Sequence, residues 1–394
     1  MKRIAELYAY PANIDGVIDH FVASCQQAFG KDKLGILLVG STSRGELSWS
    51  RKNDRLRFYS DIEFVVVVEK KIPYQQARFA SLIEQYNKAL DLGDRFKVDF
   101  VVNTWKGMCK VEKRIFAFDS KNTGIELGSV DVRPFLPDVS KATLNFHELN
   151  DVLLHRMKAL LIDVPRGIFN KVGDLDDFRL SIAKNTLDIT TWLYPYEADV
   201  LVSGFEARLN SWDNKKNALV LSEYFGDEEF GFLRDCLALR MSKINDYDIS
   251  DMLRNYISIY DRAITYCKVM NGIDPSRDIT ELSVSRDLFW EYSSRRRLKE
   301  AYLMLRNYRL FSLKNLIWNV FLPRKGRQVD FCYSMLKSLS FNLRKKPEQF
   351  EAELEKSKIK LKVICSVKDD SICESSDSWF DIREQYKAIN TVLI

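Results

Sequence analysis

Residues 61 to 68 read Asp61-Ile-Glu-Phe-Val-Val-Val-Val68, the clearest strand signal in the chain. Side chains branched at Cβ fit an extended, pleated backbone, and a run apolar on both sides of the alternation belongs in the middle of a sheet. Alternate residues of a strand share a face, so Asp61 and Glu63 project together while Ile62 and Phe64 point the other way. Two crowded carboxylates repel unless a cation joins them. Oxygen donors of this kind select a hard divalent ion, Mg²⁺ or Mn²⁺.

Upstream, Ile14, Val17, Ile18, Phe21, Val22 and Cys25 recur at three and four, which predicts a helix over 13–29. Gly30 ends it, the apolar run Leu34 to Val39 predicts a buried strand, and the turn Gly40-Ser-Thr-Ser-Arg-Gly-Glu46 follows. A bend of this composition offers backbone N–H groups and the Ser41 hydroxyl to a phosphate. Downstream, a helix is expected over 74–90 and a strand over 96–102, where Asp99 sits between Val98 and Phe100. If the two strands lie side by side, Asp99 reaches the face of Asp61 and Glu63. Three convergent carboxylates can hold two ions, the arrangement suited to in-line phosphoryl displacement.

The ordered set of Val39-Gly-Ser-Thr-Ser-Arg-Gly-Glu46, Ser60-Asp-Ile-Glu-Phe64 and Val98-Asp-Phe100 resembles the Gly-Ser, Asp-x-Asp/Glu and third-carboxylate signature of the DNA polymerase β-like nucleotidyltransferases, most closely their stand-alone bacterial members. The resemblance covers about residues 10 to 200, weakly beyond 105. It implies an α+β protein with a nucleotidyltransferase-fold mixed sheet and flanking helices over 1–140, followed by an all-helical domain over 141–345. It also implies transfer of a nucleoside monophosphate from an NTP, in the first instance ATP, to a hydroxyl acceptor on a small molecule, saccharide or protein, with release of pyrophosphate. By the same resemblance Asp61, Glu63 and Asp99 would hold Mg²⁺ or Mn²⁺, with Asp99 helping to take the acceptor's proton. Gly40 and Ser41 would cradle the terminal phosphates, with Arg44 and, from the helical domain, Lys184 neutralising triphosphate charge. One departure is the nineteen-residue interval 42–60, longer than the family's; its surplus, with Arg51, Lys52, Arg55 and Arg57, predicts a hairpin or mobile loop beside the site.

The remaining features set bounds. At 394 residues the chain exceeds one core of ordinary size, and 46% apolar with 29% charged residues describes a folding sequence. Seven cysteines are scattered without a Cys-x-x-Cys pair, and the three histidines have no metal-ligand spacing with them; reduced thiols and a cytoplasmic location are expected, and a zinc site is not. The segment Met1 to Tyr8 carries Glu6 and no leader pattern, and no apolar run approaches a membrane span. Walker A, Gly-x-Gly-x-x-Gly and Gly-x-Ser-x-Gly motifs are absent. Between Arg286 and Lys346 fifteen Lys or Arg face four acids, a local excess of eleven positive charges. That segment reads as a solvated helical face or as a surface for nucleic acid or another polyanion. It keeps two alternatives open: an oligonucleotide-signal synthase or RNA-tailing enzyme of the same fold, and a non-catalytic nucleotide- or polyanion-binding module. Longer helices are expected over 253–270 and 298–320, the latter interrupted by Pro323 and Gly326. Residues 346–394 read as a loosely attached tail with a terminal helix.

Overall fold

The computed structural model describes residues 3–52, 55–90, 96–144, 146–170, 175–215, 223–241, 247–288, 324–365 and 379–391. The chain is α+β, and it divides into two compact units. The first contains residues 1–145 and takes back 198–214 and the described residues 237–241; the second is built of helices, with no strand among its described residues.

The first unit opens with α1 (Ile4–Tyr8) and α2 (Asn13–Phe29), the second of which matches the predicted helix residue for residue. β1 (Gly35–Val39) runs into the short helical turn α3 (Gly40–Ser43), then come β2 (Trp49–Lys52), β3 (Arg55–Phe58) and β4 (Ile62–Val68). After α4 (Pro73–Ala89) the chain forms β5 (Val98–Thr104), α5 (Trp105–Met108), α6 (Ile115–Thr123) and the two-residue β6 (Ile125–Glu126). The sheet has the order β5-β4-β1-β6 and is mixed: β4 and β5 are parallel, joined through α4, while β1 is antiparallel to both β4 and β6. A parallel pair needs a crossover of this length.

The alternation of β4 decides both faces of the sheet. Ile62, Phe64 and Val66 join Ile36, Leu38 and Val98 in a core closed by Phe21 of α2 and Phe79 of α4; the Phe21 and Phe64 rings stack at 3.9 Å. Each such side chain removed from water contributes about 1.5–3 kcal/mol. Val65 and Val67 turn the other way with Leu37 and Val39, onto Met108, Val132 and Leu136. Glu63 and Asp99 follow this second set.

The surplus between Ser41 and Asp61 is a hairpin: β2 and β3 pair antiparallel from Trp49↔Phe58 to Lys52↔Arg55. Phe58 is fully buried, its ring 5.0 Å from Phe96, and the Tyr59 N–H donates to the Ser48 carbonyl to close the base.

In the second unit, helices Phe146–Asp163, Asp176–Glu197, Ile249–Met270 and Arg324–Leu343 bury Met157, Leu160, Ile182, Leu187, Leu253, Met335 and Leu339. Two expectations are corrected here. Gly326 does not interrupt a helix; it sits in the first turn of Arg324–Leu343, where a Cβ would lie 2.2 Å from the Ile279 carbonyl oxygen, so glycine admits a close crossing. Nor are residues 346–394 a loose tail where described: helix Pro347–Cys365 buries Leu354 and Leu361, and Ser334 donates to Glu353 across it at 2.7 Å. Helix Trp379–Thr391 buries Trp379, Ile382 and Tyr386, and the Trp379 indole donates to the Met335 carbonyl. The expected 298–320 helix, most of the basic segment 286–346 and the Ser- and Asp-rich stretch 369–378 lie outside the described residues. Within the described part of the basic segment Lys325 is buried and the Lys337 ammonium lies 5.6 Å over the Tyr333 ring. Among the described residues no helix is long and apolar enough to cross a membrane, and Cys25, Cys109, Cys236, Cys267 and Cys332 are free thiols.

Candidate functional site

The end of β1, the start of β4 and the start of β5 meet in one row. Val39 pairs with Glu63, and Glu63 pairs with Asp99. On neighbouring parallel strands about 4.8 Å apart, register partners project from the same face, so Glu63 and Asp99 stand side by side. Asp61 lies one residue ahead of β4, half-buried.

Gly40 is built into this row. Its φ is +73°, and a Cβ there would fall 2.0 Å from Glu63 Oε2. The carboxylate therefore rests directly on the glycine backbone, an approach no other residue allows. Beyond it the bend is fastened from the end of α1 and the residues after it: the Tyr8 hydroxyl donates to the Ser43 carbonyl at 2.6 Å and the Tyr10 hydroxyl to the Thr42 carbonyl at 3.4 Å. Ser43 Oγ donates back to the Gly40 carbonyl, and the Ser41 carbonyl accepts from the Glu46 N–H at 2.8 Å. Ser41 and Thr42 are buried, and Thr42 Oγ1 has no hydrogen-bond partner.

Lys97, which the sequence reading passed over, completes the row. Its ammonium is 3.0 Å from Asp99 Oδ2, both side chains about half exposed. The hydrogen bond to Asp99 raises its pKa, burial opposes the rise, and Asp61, Asp99 and Glu63 add to it. All three acids thus act on one cation. Lys97 stands two residues before Asp99 and so shares its face, a signal available from spacing alone.

The donor types are those a divalent ion takes: three carboxylates, two on adjacent strands and Asp61 one residue ahead of β4. As they stand, no group of three or more His, Cys, Asp or Glu side chains among the described residues closes to the distances needed to hold a metal. The Lys97 ammonium supplies the compensating charge instead.

Arg44 closes the bend as the residue that follows Ser43. Its Nε donates to Glu46 Oε2 at 2.8 Å and its Nη1 is 3.6 Å from Asp119 Oδ2, with only 14% of the side chain exposed. Burial pulls its pKa down, but Glu46 and Asp119, with Glu63 behind them, more than offset that and raise it. Asp119 Oδ1 also accepts from Arg208 Nη2 at 2.8 Å and from Ser203 Oγ at 2.6 Å, and Glu46 Oε1 accepts from the Phe205 N–H. The guanidinium groups of Arg44 and Arg240 lie 6.0 Å and 5.3 Å from the Phe205 ring centre. Gly204, at φ +92°, clears Glu46 Oε1, which a Cβ would approach to 2.9 Å. Arg44 is therefore held within a buried ion-pair network. Its partners at 119 and 203–208 are too distant in sequence for any local pattern to reveal.

Lys184 belongs to the other unit, half-buried on helix Asp176–Glu197. Beyond the acid row on the same face of the sheet lies a cavity of about 210 Å³ that Glu63 and Asp99 help to line. Compared with protein-family models and with curated protein sequences, the chain matches none.

Proposed function

We propose that the first unit carries a divalent-ion-dependent nucleotidyltransferase site of the DNA polymerase β-like kind. What carries the reading is the row itself: Glu63 and Asp99 in register on parallel strands, Glu63 seated on the positive-φ Gly40, and Asp61, Glu63 and Asp99 all acting on Lys97. Carboxylates gathered this closely favour a cation among them.

In this reading Asp61, Glu63 and Asp99 hold Mg²⁺ or Mn²⁺, which when bound supplies Lewis-acid polarisation of the phosphoryl group. Gly40 and Ser41 let the chain approach the terminal phosphates of an NTP, ATP first among them, without a side chain in the way. Asp99, the more exposed carboxylate, receives the proton of the acceptor hydroxyl as its oxygen bonds to the α-phosphorus. The bond from that phosphorus to the bridging oxygen breaks, and pyrophosphate leaves with the electron pair. Lys97 fixes the orientation of Asp99. Arg44 acts through the bend, by holding it against Glu46 and Asp119.

The test is incubation of the full chain with each α-labelled NTP, Mg²⁺ or Mn²⁺ and a panel of hydroxyl acceptors, beside an Asp61→Ala/Glu63→Ala double variant. Label should pass to an acceptor with pyrophosphate release, and the variant should lose roughly 10²-fold or more. Equal labelling by both proteins, or none by either, ends the proposal.

A further inference from the structure

The face that bears Glu63 and Asp99 continues along β4 and β5 as Val65, Val101 and Asn103, and there the cavity of about 210 Å³ opens. Val65, Val101, Met108, Phe116 and Leu136 give it apolar walls, with the two carboxylates at one end. Val101 and Phe116 stay 63% and 51% exposed, unusual for residues of their size beside a buried cluster. Ser120 also lines the space; it is 3% exposed, and its Oγ has no hydrogen-bond partner. A buried hydroxyl left in that state is costly, and a ligand atom that reached it would remove the cost.

The polar inventory decides what can enter. Asn103 is already committed, its Oδ1 accepting from the Thr104 N–H and its Nδ2 set toward Met108 Sδ. Ser120 and the acids are then what the walls offer. A saccharide would bury several hydroxyls against hydrocarbon with too few partners, each a desolvation penalty. A hydrocarbon or aromatic ring loses nothing there. The volume is below the roughly 300 Å³ at which drug-sized pockets begin, which limits the occupant to about one ring.

We propose that this cavity seats the body of the acceptor, an alcohol or phenol whose hydroxyl is carried on a single aromatic or hydrocarbon ring, and that it turns saccharides away. The hydroxyl is directed at Glu63 and Asp99, and a second small polar substituent meets Ser120. That the seated molecule is an acceptor rests on the nucleotidyltransferase reading; the selectivity of the cavity does not.

Saturation-transfer NMR on the full chain without nucleotide, using benzyl alcohol and glucose as probes, separates the two. Benzyl alcohol should give a signal and glucose none. Val101→Trp, at an exposed position where the indole can fill the space, should weaken benzyl alcohol binding roughly tenfold. Phe116→Ala, which removes a wall, should weaken it as well, and Val200→Trp, at an exposed site elsewhere in the unit, should not. A thermal melt of each variant confirms folding. Equal signals for glucose and benzyl alcohol, or benzyl alcohol binding untouched by both cavity variants, overturns the proposal. Label transfer to glucose in a protein that ignores benzyl alcohol also overturns it while leaving the transferase reading intact. Benzyl alcohol binding without label transfer to any acceptor does the reverse.

Discussion

Two clusters of charge meet at the Gly40 bend, and they differ in how far they are buried. In one, Glu46 and Asp119 are matched by Arg44 and Arg208, all largely buried and hydrogen-bonded, with Ser203 and the Phe205 N–H filling remaining acceptor sites. In the other, Asp61, Glu63 and Asp99 all act on Lys97 and stay partly open to solvent. The balanced cluster ties residues 198–208 to the sheet unit and serves the fold. The second gathers three carboxylates at one end of the sheet, the arrangement that the proposed function would put to use. The same bend joins them, since Glu63 contributes to the field at Arg44.

The contrast is broken most severely from the balanced side. Asp119→Ala takes away a carboxylate that both Arg208, 1% exposed, and Arg44 contact, and breaking a buried ion pair costs about 3–5 kcal/mol. Urea unfolding should show that loss as a lower midpoint at unchanged slope. A loss under about 1 kcal/mol would mean the network is no more than a surface pair.

Next in size is the joint between the clusters. Gly40→Ala forces an L-residue into φ +73°, a cost of about 1–2 kcal/mol, and places a methyl group where Glu63 Oε2 now lies. The protein should fold, slightly weakened, while nucleotidyl transfer falls by more than about tenfold because Glu63 must swing out of the row. Transfer at the wild-type rate would separate the bend from the site.

Glu126, at the far edge of the sheet, sharpens the comparison by burying a carboxyl among backbone donors. Its Oε1 accepts from the Val132 N–H at 2.8 Å and the Arg133 N–H at 3.2 Å. Burial, followed by a hydrogen bond to Asp131, pushes its pKa up from 4.5 to about 8. The folded chain then keeps a proton that the unfolded chain releases above about pH 4.5. Its contribution to stability is full below that pH and is lost as pH rises through about 8. Glu126→Gln, which keeps the accepting oxygen, should match wild type at pH 5 and exceed it by about 1 kcal/mol at pH 8. Parallel stability curves for the two proteins across that range would show that the carboxyl is not held protonated.

What could be read in advance follows from range. The Asn13–Phe29 helix, β1, β4 and β5 are carried by local periodicity, and the alternation around Glu63 and Asp99 assigns both to one face before any register is known. Lys97 was equally legible by its two-residue offset. The hairpin's anchor, Phe58 on Phe96, and the pairing of Asp119 with Arg208 depend on tertiary contacts that no window of sequence contains. β6 has two residues, too few for a pattern. The terminal helix is legible, but its attachment is not: the charge of the helix beyond Pro347 reads as a tail, whereas Trp379, Ile382 and Tyr386, which recur at three and four, form a buried stripe.

The smallest effect on stability belongs to the residues proposed to matter most. Glu63→Gln and Asp99→Asn each remove one like charge from three, at positions half-buried and exposed. Against that, Asp99→Asn also weakens the contact to Lys97, itself a half-exposed pair of small worth. The two contributions nearly cancel, so either variant should unfold within about 0.5 kcal/mol of wild type. Any gain should be largest at low salt and should fade near 1 M, where screening acts within roughly 3 Å. If nucleotidyl transfer falls while stability holds, the row is present for chemistry. If either substitution destabilises the chain as strongly as Asp119→Ala, the acids are structural, the two clusters are of one kind, and the catalytic reading loses its ground.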